Sequence, residues 1–333
     1  MAERRKVQVT GGSTFTVSIP KQWATTHGVD AGSEIEFFNE GESLSLAPAR
    51  TTETAEGSLS IDNLGGEELK RAVMTMYVSG FEVMELTATR ITSEQRRTIR
   101  EATQALVGLE VLEETGESIV IRDLLDSAEL SIHNAVTRMR LIALSMLADA
   151  VGGVVAGDHE MAADVIERDD DVDRLWMVVS RIFRATLRSP KAAEEVGLQR
   201  EACFDYQSAA RQLERVADHA TKIGHLTLQM ENPIPEDVQE ALIELHTASA
   251  EVIDLSMAAL FAEDSTEATK TGNRAREAVQ EIDERARAID ALLRELDPSR
   301  AQLLGLVVDS VSRSADYGGN IAETALQKAA PTP

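Results

Sequence analysis

Along the chain the spacing of apolar residues changes twice, and each spacing predicts a different kind of structure. In the first fifty residues apolar and polar positions alternate in short runs: Val7 and Val9, then Phe15, Val17 and Ile19, then Ile35 to Phe38 and Leu44 to Ala47. A period of two marks a half-buried strand, and Gly11-Gly12, Pro20 and Asn39-Glu40-Gly41 punctuate the runs as turns. Pro20 also opens a short helix predicted over 21–26, because proline is tolerated at the first helical position. His27 is expected to cap its far end.

From 51 to 125 the pattern becomes mixed. TTETAEG reads as a polar linker, after which SLSID, FEVMELTAT, GLEVLEET and ESIVIRDLL read as strands, with helices over 67–79 and 93–106 between them. Thr92 or Ser93 supplies the N-cap of the second helix, with Glu94 and Gln95 in its first turn. Strand–helix alternation predicts a small βαβ-type α/β module, ferredoxin-like in arrangement.

From Asp126 onward the apolar spacing is helical. The expected helices span 126–151, 159–188, 200–230, 236–261, 265–296 and 299–329, broken at Ser189-Pro190, Asn232-Pro233 and Asp297-Pro298, as helix-ending prolines require. The predicted fold class is therefore multidomain and mainly α. It comprises an N-terminal β-rich domain over 1–50, the α/β module over 51–125, and two tandem three-helix bundles over 126–231 and 232–333.

The two bundles share a motif. RQLERVADHATKIG, from Arg211 to Gly224, recurs as DSVSRSADYGGNIAE, from Asp309 to Glu323, matching Arg215 with Arg313, Ala217 with Ala315, Asp218 with Asp316 and Ile223 with Ile321. Self-similarity at that distance predicts a duplicated helical unit. Both copies set an acidic residue beside an apolar stripe. Glu214 and Asp218 are four residues apart, as are Asp169 and Asp173 in ERDDDVDRLW, so each pair lies on one helix face.

These residues resemble the PhoU family of phosphate-uptake regulators, built from two tandem three-helix bundles with paired E/D-x-x-x-D motifs on neighbouring helices. The resemblance implies that Asp169, Asp173, Glu214 and Asp218 gather as a metal site. Like charges brought that close repel, and a cation holds them together. Oxygen donors suit Mg, Mn or iron, and Zn also falls within the expected range. In the second repeat Asp316 and Asp283 keep their places, but Ser312 replaces Glu214 and Val279 replaces Asp169, so a weaker site is expected there. Asp309 and Asn320 lie on the same face as Asp316. The commonplace alternative is that these carboxylates are simply solvated.

The first domain resembles the AbrB/SpoVT/MazE swapped-hairpin family, carried by GGSTFTVSIPKQW followed by GVDAGSEIEF. That implies a small β-barrel interleaved from two chains, hence a homodimer, and a DNA-binding role. Arg4, Arg5, Lys6 and Lys21 are the positions that would approach phosphate. They face one acidic residue, Glu3, within residues 1–25.

Charge gives the local basic arm its meaning. The whole chain carries 57 acidic against 33 basic residues, a formal charge of −24, and only 7 of the basic residues are lysine. Lysine-poor acidic surfaces of this kind resemble those of salt-adapted, haloarchaeal proteins. Salt would screen the self-repulsion. A disordered acidic chain is excluded, because the acids are interleaved with 43% apolar residues. One cysteine, Cys203, allows no intrachain disulfide and fits a reducing cytoplasm. Met1 to Thr10 does not read as a signal peptide, and the apolar run Leu141 to Gly157, interrupted by Asp149, reads as a buried helix rather than a membrane span.

Enzymatic chemistry is not expected. No Ser/His/Asp order, nucleophile elbow or HExxH is present, and the Glu-x-x-His spacing of diiron carboxylate oxidases is missing from the candidate helices. His219, next to Asp218, is a candidate neighbour of the metal site; His27, His133, His159, His225 and His246 are read as structural or solvated. The expected function is non-enzymatic, cytoplasmic regulation of phosphate uptake, with promoter DNA and the ATPase subunit of a phosphate transporter as partners and no membrane insertion. The alternatives are a dimeric adaptor that does not bind DNA, and a metal-buffering helical protein.

Overall fold

A computed structural model describes residues 3–40, 43–49, 54–124 and 131–331. The chain divides into two compact units, 1–54 and 55–333.

The first unit is two antiparallel hairpins and one helical turn and a half. Strands β1 (Gln8–Thr10) and β2 (Thr14–Thr16) pair with Val9 opposite Phe15. Gly11 and Gly12 make the turn between them at φ of 64° and 85°, a region where a side chain would be strained. Helix α1 (Lys21–Thr26) follows Pro20 and ends at His27, whose Nδ1 lies 2.8 Å from the Trp23 carbonyl. Strands β3 (Ile35–Glu40) and β4 (Ser43–Pro48) pair from Ile35 opposite Pro48. The expected turn at Asn39-Glu40-Gly41 is therefore shorter, since Asn39 and Glu40 belong to β3, and Gly41 lies outside the described residues. The two hairpins form separate sheets, and Val9, Phe15, Phe37 and Leu44 are all more than 60% exposed.

The second unit opens with β5 (Glu56–Ser60), α2 (Gly66–Val78), β6 (Val83–Thr87), α3 (Ser93–Gln104), β7 (Leu109–Glu114) and β8 (Ser118–Asp123). The linker is shorter than expected, because Glu56 and Gly57 already belong to β5. The sheet order is β5-β6-β8-β7, with β5 and β6 parallel and the other pairs antiparallel. This departs from the ferredoxin-like expectation. The first helix connects two adjacent parallel strands, and the sequence ends in the β7–β8 hairpin. Period-two alternation places Met84, Leu86, Ile119 and Ile121 in a core with Leu69, Val73, Tyr77 and Ile99. Thr92 caps α3 in a reciprocal box with Gln95. Gln95 Nε2 then donates to the carbonyls of Ile61 (2.8 Å) and Leu64 (2.9 Å), so a buried amide is fully engaged.

Among the described residues eight helices follow: α4 (Ile132–Ala156), α5 (His159–Glu167), α6 (Asp169–Arg188), α7 (Pro190–Val196), α8 (Arg200–Thr227), α9 (Glu236–Phe261), α10 (Ser265–Leu293) and α11 (Pro298–Ala329). One bundle is built from α4, α5 with α6, and α8; the other from α9, α10 and α11. The single helix expected over 159–188 is two helices. It breaks at Arg168, which reaches back to Asp149 (2.5 Å) and Ser145 (2.8 Å) on α4, while Asp169, Asp170 and Asp171 open α6, where the helix dipole favours negative charge. Ser189 caps the unexpected α7 in front of Pro190.

Helix α4 is long and apolar enough to cross a membrane by length and composition. Its apolar face, including Val136, Met139, Ala143, Met146 and Leu147, is buried against α5, α6 and α8, which accounts for that hydropathy within the bundle. The two bundles join through α8 and α11 and share one continuous core. Within each bundle, neighbouring helices approach closely at a glycine. A Cβ on Gly224 would sit 2.9 Å from the Ala162 carbonyl oxygen, and one on Gly318 would sit 2.9 Å from Val252.

Candidate functional site

Helix α6 runs beside α8, and one stripe along each carries the chemistry. Asp169 and Asp173 occupy the first two turns of α6; Glu214 and Asp218 occupy the middle of α8. Burial pushes the Glu214 carboxyl up to about 7, with the negative charges of Asp218 and Asp173 adding to the rise. Burial likewise pushes Asp173 up to about 6, reinforced by Asp169 and Asp218. Asp169 is raised by burial and by Asp170, and eased by Thr221. Asp218 is raised by burial and by Asp169, although its own side chain reaches solvent. The helical spacing therefore brings all four carboxylates into mutual repulsion.

Only part of that negative charge is compensated. Arg211 Nη1 donates to Glu214 Oε1 at 2.7 Å, and its guanidinium lies over the Trp176 ring at 5.3 Å. The other oxygen, Glu214 Oε2, is buried with no hydrogen-bond partner. An orphaned carboxylate oxygen among three further carboxylates is a donor set that suits a hard divalent cation. Among the described residues, however, no three Asp, Glu, His or Cys side chains are already drawn together as a metal-holding group. The donors fit by kind and position, and their side chains would have to turn inward to ligate.

In the second repeat, Asp316 and Asp283 are both exposed, and Asp316 is raised by burial, eased by Arg313 and raised again by Asp283 and Asp309. Arg313 lies 3.6 Å from Asp316 and 3.9 Å from Asp309, and Lys222 lies 3.7 Å from Asp309. Ser312 is turned away, donating to the Val308 carbonyl at 2.9 Å. Asn320 donates across to Gln212 at 3.1 Å. His219 also serves the seam between bundles. Its Nε2 is 3.3 Å from Tyr317 Oη, and its charged neighbours are Lys222, Asp309 and Arg313, not the four carboxylates.

Sequence reading missed a second role of α6. Arg174, Arg181 and Arg188, seven residues apart, donate to backbone carbonyls where α2 and α3 end. Arg174 Nε reaches Ala105 at 3.3 Å, Arg181 reaches Tyr77 and, at 3.1 Å, Phe81, and Arg188 reaches Ser79. Cations at helix C-termini satisfy free carbonyls and match the dipole. Arg181 also pairs with Asp123 at 2.6 Å, both side chains being nearly buried, and lies over Tyr77 at 4.8 Å. The signal was the seven-residue arginine spacing. The helix bearing half of the carboxylate site is thus pinned to the α/β module.

In the first unit the four predicted basic residues, Arg4, Arg5, Lys6 and Lys21, are exposed. Arg5 is ion-paired with Glu3, which leaves Arg4, Lys6 and Lys21 as the less compensated charges.

The family described as PhoU domain matches residues 136–227, from α4 through the last turn of α8. The family described as antidote-toxin recognition MazE, bacterial antitoxin, matches residues 8–54. Among solved structures, PhoU from Pseudomonas aeruginosa is similar at 19% identity and a TM-score of 0.50, over 59% of this chain and 93% of that one. The phosphate transport system regulatory protein PhoU from Streptococcus pneumoniae is similar at 19% identity and a TM-score of 0.45, over 59% and 91%. No curated protein matches the sequence.

Proposed function

We propose that this chain, which carries a PhoU domain in its first helical repeat and a MazE-type domain in its first unit, regulates phosphate uptake without enzymatic activity. One observation carries the reading. The stretch matching the PhoU domain is also where four carboxylates on α6 and α8, Glu214 buried, Asp169 and Asp173 half-buried and Asp218 exposed, repel one another and are left partly uncompensated. A divalent cation, with Mn, Mg, Fe and Zn as candidates, would be held by Asp169, Asp173, Glu214 and Asp218 and would supply the missing positive charge. The pinning of α6 to the α/β module by Arg174, Arg181 and Arg188 supports transmission of that charge change along the chain.

The first unit would pair with a second copy and bind promoter DNA of phosphate-transport genes. Its apolar side chains on both hairpins, Val9, Phe15, Phe37 and Leu44, support pairing, since monomers rarely leave such a set open. Arg4, Lys6 and Lys21 would meet the phosphate backbone, helped less by the Glu3-paired Arg5. The helical repeats would address the ATPase subunit of a phosphate transporter in the cytoplasm.

Fluorescence anisotropy against DNA from upstream of phosphate-transporter genes, at several salt concentrations, tests the DNA arm. The expected result is binding that falls steeply with salt and is lost in Arg4→Ala/Arg5→Ala/Lys6→Ala. Absence of binding at every salt concentration would leave a dimeric adaptor acting on the transporter.

A further inference from the structure

Beyond the carboxylates, the same stripe of α6 continues into a groove that the regulatory reading does not use. A cavity of about 350 Å³ lies where α6, α8 and the end of α2 meet, walled by Val78, Trp176, Phe183 and Leu187. Ser180 lines it, and the Ser180 hydroxyl, on a residue only 8% exposed, has no hydrogen-bond partner. Arg184 and the Gln207 amide complete the lining. Among the described residues Arg184 is exposed and has no ion-pair or hydrogen-bond partner. Elsewhere on α6 Arg174, Arg181 and Arg188 are all engaged, so Arg184 is the arginine of that helix left free to meet a ligand.

We propose that this groove binds a compact amphipathic anion, a flat apolar body bearing one carboxylate, sulfonate or phosphate group. The size falls in the range of small-molecule sites, and so does the make-up, with apolar walls and a few converging polar groups. Trp176 and Phe183 offer faces to a planar body. Arg184 offers a single positive charge at the rim, enough for one anionic group and too little for a polyanion. Ser180, by rotation about χ1, and Gln207 supply the hydrogen bonds. An inorganic anion would leave the apolar walls unused, and a neutral apolar molecule would leave Arg184 unused.

Occupancy of the groove would also be felt at the carboxylates. Trp176 lines the groove and carries Arg211 over its ring, and that arginine holds Glu214. The proposal stands apart from the phosphate-regulation reading, because it rests on the groove alone.

The chain has two tryptophans, Trp23 and Trp176, so Trp23→Phe leaves Trp176 as the sole indole reporter in the full-length protein. Titration with anilinonaphthalene sulfonate, a flat apolar monoanion, should quench Trp176 emission saturably. Arg184→Glu should weaken that binding by about tenfold or more, the size of one charge-assisted contact. Arg287→Glu, an exposed arginine on α10, should leave it unchanged. Two results would overturn the proposal: the dye binds without altering Trp176 emission, which would place it on the exposed apolar residues of the first unit, or it quenches equally in Arg184→Glu.

Discussion

The two helical repeats share a fold and a motif, yet their acidic sites differ in how their charge is met. In the first repeat Glu214 and Asp173 are drawn into the bundle and repel one another and their neighbours, with Arg211 donating to Glu214 Oε1 and Glu214 Oε2 unpartnered. In the second, Asp316 and Asp309 lie exposed beside Arg313, with Lys222 nearby. Two substitutions account for most of the difference, Val279 in place of Asp169 and Ser312 in place of Glu214. The helices that bear them differ as well. Counting from the Asp173–Asp283 match, α10 has Glu284 and Ala291 where α6 has Arg174 and Arg181. The lesson is that one duplicated scaffold can keep its packing in both copies while only one copy gathers mutually repelling carboxylates and is anchored to the α/β module.

The largest effect is expected where the first repeat is anchored. Arg181→Ala removes the ion pair to the nearly buried Asp123 and should cost about 3–5 kcal/mol in denaturant unfolding, as removal of one member of a buried pair does. The counterpart of Arg181 in α10 is already alanine, Ala291, so the second repeat has no such dependence. Next comes packing asymmetry. Gly224→Ala places a methyl 2.9 Å from a backbone oxygen and should cost about 1–3 kcal/mol by thermal unfolding. The matching position in the other repeat already carries Ala322, so Ala322→Gly should cost only about 1 kcal/mol, the helix-propensity term.

Acid chemistry sharpens the contrast further. Glu214 and Asp173 have folded-state values above their unfolded ones, so the folded state binds more protons across that interval. Stability without added cation should be fully present below about pH 4 and fall by roughly 2 kcal/mol as pH rises towards 7. Glu214→Gln should flatten that slope, as should a saturating divalent cation. A stability curve that rises over the same interval in the wild type and is unmoved by Glu214→Gln would contradict the assignment. The smallest effect is expected from rebuilding the second site. Val279→Asp/Ser312→Glu restores four acids beside Arg313, and cation binding there should emerge only weakly in titration until Arg313→Ala is added.

Most of the fold was legible because each pattern had one dominant cause. Helix breaks fell at Ser189-Pro190, Asn232-Pro233 and Asp297-Pro298, where the backbone N–H is missing, and α3 began where Thr92 and Gln95 form a capping box. The break at Arg168 was hidden, because its cause is a contact from Arg168 to Asp149 on another helix. Strand order in the α/β module was equally hidden, since alternation identifies strands and not their neighbours. At the site, i,i+4 spacing set each carboxylate pair on one helix face, whereas the stacking of Arg211 on Trp176 acts across helices, and the arginines that pin α6 show in the sequence only as a seven-residue spacing that does not name their partners. His219 was misplaced for the same reason. Adjacency to Asp218 in sequence turns a side chain about 100° around the helix, towards Tyr317 and not towards the acids.

The most direct measurement is a calorimetric titration of Mn²⁺ into the chelator-treated full-length protein near neutral pH. The account predicts saturable binding that is abolished by Asp173→Asn/Glu214→Gln and retained in Asp283→Asn/Asp316→Asn. Binding that survives the first pair of substitutions, or that disappears with the second, would contradict it.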